Sequence, residues 1–138
     1  MYPISNRINI LQKAAAAKST FINDEALPPA VTTFTCCDCS HENPIEIQPY
    51  SSGFPVIQLY HEDKVLSVNE LLQNGMASET SDRMLHFGVF TVDDLPTLYF
   101  GTDCSSCRSK YICVFSYGEK QPGLMKLNIS GIWKYEDL

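Results

Sequence analysis

The sequence predicts a β-rich α+β fold: an antiparallel sheet with one or two short helices. Three observations carry that expectation. Cys36-Cys37-Asp38-Cys39 and Cys104-Ser105-Ser106-Cys107 each contain a C-x-x-C step. Each step is flanked on both sides by residues of strand composition. The last third of the chain also alternates apolar and polar residues with the period of two that a strand requires. Two hairpins whose turns meet at one tetrahedral ion form a zinc-ribbon-like arrangement. At 138 residues the chain is expected to be one domain. It divides into an N-terminal helix and linker at 1–30, then a β domain at 31–138 with an insertion at 51–97.

The elements follow in chain order. Ile8, Leu11 and Ala15 recur at helical spacing and Ala14 to Ala17 favour helix, so residues 4–18 are expected to be one short helix. Asn23, Asp24, Pro28 and Pro29 turn residues 23–30 into an extended linker. Val31 to Thr35 is β-branched or aromatic throughout and leads into the first cysteine turn. Ile45 and Ile47 alternate with Glu46 and Gln48, as in a strand leaving it. Phe54 to Tyr60 is a further strand candidate, with Pro55 confining its start to an edge. Val65, Val68, Leu71 and Leu72 share a helical face. Ser67 can cap that helix with Glu70 three residues on, and Gly75 can end it. Residues 77–83 are polar and expected in a loop. Met84 to Val92 has strand composition and holds His86, expected to be at least partly buried. Asp93-Asp94 and Pro96 then turn the chain.

Thr97 to Gly101 leads into the second cysteine turn and Lys110 to Tyr117 leaves it. Tyr111, Cys113, Phe115 and Tyr117 line one face of that strand, with Ile112 and Val114 on the other. Both faces are apolar, which predicts a central strand and makes Cys113 a small core residue. Gly118 to Gly123 is a turn. Met125, Leu127, Ile129, Gly131 and Trp133 then alternate with polar residues, predicting a strand with one wet face.

Cys36, Cys39, Cys104 and Cys107 are the expected ligands of a structural zinc, because two thiolates three positions apart in a tight turn can face one ion. Cys37 could replace Cys36 in a C-x-C step. Cys36 is preferred because both turns then have the same spacing. His41 could substitute for a thiol, though it reads first as a neighbour of the site. Sixty-four residues separate Cys39 from Cys104. Closing that loop costs about 4 kcal/mol, well below the roughly 10–16 kcal/mol that structural zinc contributes. Four cysteines leave no open coordination position, which predicts a structural ion rather than a catalytic one. No G-x-S-x-G, P-loop or H-E-x-x-H occurs, and His61-Glu62-Asp63 reads as a solvated turn. The expectation is therefore a protein that is not an enzyme.

The formal net charge is −6 and 44% of residues are hydrophobic. A chain this apolar can bury a core. An acidic surface repels nucleic acid and anionic membranes and attracts a basic protein. Ala14 to Ala17 is too short for a secretory h-region, and no run of about 18 apolar residues spans a membrane. The expected compartment is a reducing cytoplasm, where six cysteines serve as ligands or free thiols. The Asn128-Ile129-Ser130 sequon carries no weight there.

The stretch from Leu98 to Gly123 contains the second cysteine turn, an aromatic strand and Gly118-Glu-Lys-Gln-Pro-Gly123, and Gly131-Ile132-Trp133 follows. It resembles a group of small bacterial proteins with two C-x-x-C pairs, a G-E-x-Q-P-G turn and a final G-I-W. Several of these look like immunity proteins encoded beside polymorphic or contact-delivered toxins. The resemblance spans 31–135 in layout and 97–135 in motif. It implies a toxin-neutralising binding protein with a structural zinc. The doubled Cys36-Cys37 departs from the group's first turn, which more often has proline after its first cysteine, and so leaves the first-turn ligand open. The implied partner is a basic cognate toxin met by acidic side chains, with Glu62, Asp63, Glu70, Glu79 and Asp82 as candidates. A second expectation is a zinc-ribbon adaptor that binds nucleic acid or the transcription machinery, for which Arg108 and Lys110 offer the basic face. A third is thiol redox chemistry or metal handling. It is disfavoured because the residues after Cys107 read as strand, not as the helix such a motif opens.

Overall fold

The computed structural model describes residues 1–27 and 29–138. The strands are β1 (Ile8–Lys13), β2 (Ala15–Ala16), β3 (Thr20–Ile22), β4 (Ala30–Thr35), β5 (Glu42–Ile47), β6 (Phe54–Pro55), β7 (Ser78–Glu79), β8 (Phe90–Thr91), β9 (Thr97–Asp103), β10 (Lys110–Gln121) and β11 (Leu124–Asp137). Two short helices, α1 (Ile57–Tyr60) and α2 (Val68–Gln73), lie between β6 and β7. The β-rich, antiparallel expectation holds. A six-stranded sheet runs β1-β11-β10-β9-β6, with β3 also pairing β11. A second sheet runs β2-β4-β5, and β7 pairs β8.

The central sheet has both faces covered. Tyr111, Cys113, Phe115 and Tyr117 of β10 pack with Phe34, Ile45 and Ile47 of the three-stranded sheet. Ile112 and Val114 face the other way, onto Leu59, Val65, Leu66, Leu71 and Met76 from α1, α2 and their connections. This two-sided burial is the one expected of β10, and Cys113 is fully buried within it. The Ser67–Glu70 capping box forms as its sequence specifies. Glu70 N–H donates to Ser67 Oγ at 3.1 Å, and Ser67 N–H donates to the Glu70 carboxylate at 3.1 Å. Gly75, at φ +71°, ends that turn of chain in a conformation side chains resist.

Several expectations are corrected. The helix at 4–18 is absent: Ile8–Lys13 and Ala15–Ala16 are strands. Pairing of Ile8 with Asp137 and of Ala15 with Thr35 satisfies backbone groups from the far end of the chain and from β4. That tertiary demand outweighs alanine's weak helical preference. The linker at 23–30 is only partly extended, since Asn23–Ala26 is a 3₁₀ turn with Ala26 buried; Pro28 lies outside the described residues. The strand expected at Phe54 to Tyr60 stops after Pro55, which cannot donate to a ladder, and α1 follows. The first part of Met84 to Val92 belongs to the 3₁₀ turn Asp82–Phe87, closed by Gly88 at φ +122°. Phe90–Thr91 pairs with β7, Val92 bridges Leu95, and His86 is exposed.

The loop expected at 77–83 includes β7, and the turn expected at 118–123 narrows to Pro122-Gly123, with Gln121 opposite Leu124. β11 also differs from expectation. Ser130 is an extra residue between the pairs Phe115–Ile129 and Val114–Gly131. Such a bulge reverses which face later side chains meet. Leu127 and Ile129 thus join the core under the small sheet, whereas Trp133 and Tyr135 join the helical side. Lys126, Asn128, Ser130 and Lys134 stay partly exposed, as expected of the polar positions of this strand, while Ile132 is buried. Gly131 is required there, because a Cβ would sit 2.6 Å from the Trp133 ring.

Candidate metal centre

The cysteine turns connect β4 to β5 and β9 to β10, and each connected pair is hydrogen-bonded. The first turn therefore belongs to the small sheet and the second to the central sheet. Packing of the two sheets through Phe34 and Tyr111, whose ring centroids are 4.7 Å apart, brings the turns together. The Sγ atoms of Cys36, Cys39, Cys104 and Cys107 all lie within 4.8 Å of one another. Cys36 is 3.5 Å from Cys107, and Cys39 is 3.6 Å from Cys104. Four sulfurs around one ion at about 2.3 Å stand about 3.8 Å apart. The four expected cysteines are thus spaced to hold one metal ion. Cys37 and His41 are outside the group.

The two turns have the same local structure despite different sequences. Cys36 N–H donates to the His41 carbonyl at 2.9 Å, and Cys104 N–H to the Ser109 carbonyl at 2.8 Å. Ser40 N–H returns to the Cys36 carbonyl, and Arg108 N–H to the Cys104 carbonyl, at 3.1 and 3.0 Å. Ser40 and Arg108, the residues after each second cysteine, both take positive φ, at 62° and 70°. This tight winding aims backbone N–H groups at sulfur. Asp38 and Cys39 donate to Cys36, and Ser106 and Cys107 donate to Cys104. In both turns the first cysteine is buried and the second exposed. The site thus has an inner half set in the core and an outer half at the surface.

Two buried polar side chains complete the frame. The Tyr111 hydroxyl donates to Cys36 Sγ at 3.1 Å and accepts from Cys37 N–H at 2.7 Å. Asn43 Nδ2 donates to Cys104 Sγ at 3.5 Å, and Asn43 Oδ1 accepts from Ser105 N–H at 2.9 Å. Neither residue was singled out as part of the site from sequence. The available signal was their position: each is the seventh residue after the first cysteine of its own turn. Charge also converges here. Lys134 Nζ is 2.7 Å from Asp38, and Ser109 Oγ donates to the same carboxylate.

These contacts separate the thiols electrostatically. Burial pushes Cys36 up, but the Tyr111 hydroxyl and the N–H groups of Cys39 and Asp38 together bring it down to about 6. For Cys104 the upward push of burial is likewise outweighed by donors from Cys107, Asn43 and Ser106. Cys39 receives a lowering bond from His41 N–H, yet burial and the neighbouring Cys104 and Cys107 sulfurs raise it to about 11. Cys113, fully buried without a donor, is pushed up by burial alone. The inner sulfurs are thus the ones prepared to be thiolates, the form a metal binds. A set of four soft sulfur donors at tetrahedral spacing suits zinc or iron rather than magnesium or calcium.

The acidic partner candidates lie on elements other than those that carry the cysteine turns. Glu62 and Asp63 sit exposed on the turn His61–Asp63, Glu79 on β7, and Asp82 at the start of its 3₁₀ turn. Glu70 is occupied by its capping box and by Arg7. No helix among the described residues is long and apolar enough to cross a membrane. No protein-family model matches the chain, no curated protein matches it, and no solved structure matches its fold.

Proposed function

We propose that this chain is a zinc-stapled binding protein of the immunity type, which neutralises a cognate toxin domain by occluding it. The observation that carries this reading is the closed shell of four sulfurs at the junction of two sheets. With every coordination position taken by protein, a bound zinc cross-links the sheets and has no site left for substrate. Function then falls to the surface that the zinc holds in shape. That surface is acidic, with a net charge of −6, which favours rapid capture of a basic partner. Exposed Tyr50, at 85% accessibility, rims a groove of about 650 Å³ shared with Tyr117, Leu98 and Glu119. Aromatic anchors beside a carboxylate are the kind of contact that dominates protein interfaces. The residues behind the family resemblance form the central β9–β10–β11 hairpins, so they speak for a shared scaffold rather than for the contact itself.

The adaptor alternative draws less support. Of the two cations expected to offer a basic face, Lys110 ion-pairs with Asp137, and nearby Lys134 pairs with Asp38, which leaves Arg108 as the one exposed cation of the turns without an acidic partner among the described residues. The reading implies a reducing compartment, where thiolates stay free to bind zinc. The test is co-expression with the toxin domain encoded beside this gene. Rescue of growth and a stoichiometric complex are expected. A toxin that remains lethal, with no complex, contradicts the proposal, and a gel shift with DNA or RNA at physiological salt would favour the adaptor.

A further inference from the structure

We infer that Asn43 and Tyr111 are the positioning residues of the metal centre, each gripping the first cysteine of the turn opposite its own sheet. This rests on the reading that the four sulfurs hold a metal ion. The two residues occupy equivalent places in a two-fold arrangement. Asn43 stands on β5 of the small sheet and reaches the second turn, whereas Tyr111 stands on β10 of the central sheet and reaches the first. Each donates to the first sulfur of that turn, and each accepts from the N–H that follows it. The two bonds of each residue fix both the distance and the tilt of the opposing turn.

Their burial makes the arrangement specific. Asn43 is 3% exposed and Tyr111 fully buried. Polar groups so placed must find partners. Asn43 uses its amide fully: Nδ2 also donates to the His41 carbonyl at 3.1 Å, and Oδ1 also accepts from Ser105 Oγ at 3.2 Å. The Tyr111 hydroxyl has one donor and spends it on sulfur. Donors to a ligand atom both hold it and withdraw electron density from it. Tyr111 acts at the shorter range, 3.1 Å against 3.5 Å, and its removal has the larger effect.

The test uses the full chain and two variants, Tyr111→Phe and Asn43→Ala, each loaded with cobalt(II) and then titrated with zinc against a chromophoric chelator. Tyr111→Phe keeps the ring and loses only the hydroxyl. It should move the sulfur-to-cobalt charge-transfer band to lower energy, because an unbonded thiolate is the better electron donor. It should also weaken zinc roughly 10- to 100-fold, the usual cost of losing an outer-shell partner. Asn43→Ala should do the same to a smaller extent. Both variants should still bind one ion per chain. A band position and zinc affinity unchanged from wild type in both variants would assign the two residues to core packing alone. A wild-type chain that binds neither cobalt nor zinc would overturn the metal reading and this inference with it.

Discussion

The turn at Cys104 stands between β9 and β10, inside a sheet with both faces covered. The turn at Cys36 stands between β4 and β5, in a sheet of three strands whose outer face carries Val31, Glu42 and Glu46 in solvent. The backbone and the N–H donors to sulfur are nevertheless the same in both, and each turn has a buried brace, Tyr111 for the first and Asn43 for the second. The turn is therefore a local solution written by the C-x-x-C spacing, while its stability is borrowed from the sheet beneath it. The small sheet borrows least. It is tied to the rest by Ala30, Phe34, Ile45 and Ile47, by the Asn43 and Tyr111 hydrogen bonds and by the sulfurs. A bound ion contributes most where the scaffold contributes least.

Metal removal should separate the two sheets most. Chelation under reducing conditions should raise amide exchange across 30–47 by orders of magnitude, while the central residues 111–117 and 127–133 remain protected. Equal loss in both sheets would mean that the turns are not unequally supported. Next, Phe34→Ala removes the ring that packs on Tyr111 and should destabilise the protein by about 3–5 kcal/mol in denaturant unfolding. It should also weaken zinc, because the first turn loses its seat. A Phe34→Ala chain with wild-type zinc affinity would show that the ion alone aligns the turns.

Smaller effects serve as internal controls on the far face. Ser67→Ala removes the cap of α2 and should cost about 1 kcal/mol without altering zinc binding. Burial tends to raise the Glu70 carboxyl, but Ser67 and Arg7 outweigh it and hold it below its ordinary value of 4.5. A depressed carboxylate stabilises the fold above its unfolded pKa, and that contribution is lost as pH falls through the folded value. Glu70→Gln should therefore flatten the acid limb of stability below about pH 4.5 and leave the neutral region less stable than wild type. A midpoint-versus-pH series checks the sign. Smallest of all, Cys37→Ser should change neither zinc stoichiometry nor affinity, because Cys37 lies outside the four-sulfur group and its backbone N–H, which bonds to Tyr111, is kept.

Local chemistry was legible in the sequence and long-range pairing was not. The cysteine spacing, the Ser67–Glu70 box and the doubly apolar face of β10 are each written within about ten residues, and each formed as expected. The N-terminal strands failed because their partners lie elsewhere: Ile8 pairs Asp137, and Phe21 pairs Leu127. No local pattern reports that an open edge of β11 awaits them. The bulge at Ser130 failed for a related reason. Its hydroxyl bonds to the carbonyls of Met76 and Val114, so the interruption in alternation is set by a helix-side loop. Asn43 and Tyr111 lie between these cases. Their equal offset from the two cysteine steps is in the sequence, but its meaning depends on two sheets facing each other.

One ion held by four sulfurs would join the two sheets. Metal analysis of the protein purified under reducing conditions, with X-ray absorption at the zinc edge, tests it most directly. One zinc per chain with four sulfurs at about 2.3 Å, unchanged in Cys37→Ser and lost in Cys36→Ser, is the predicted result. A chain without bound metal, or a shell containing nitrogen or oxygen in place of sulfur, would contradict it.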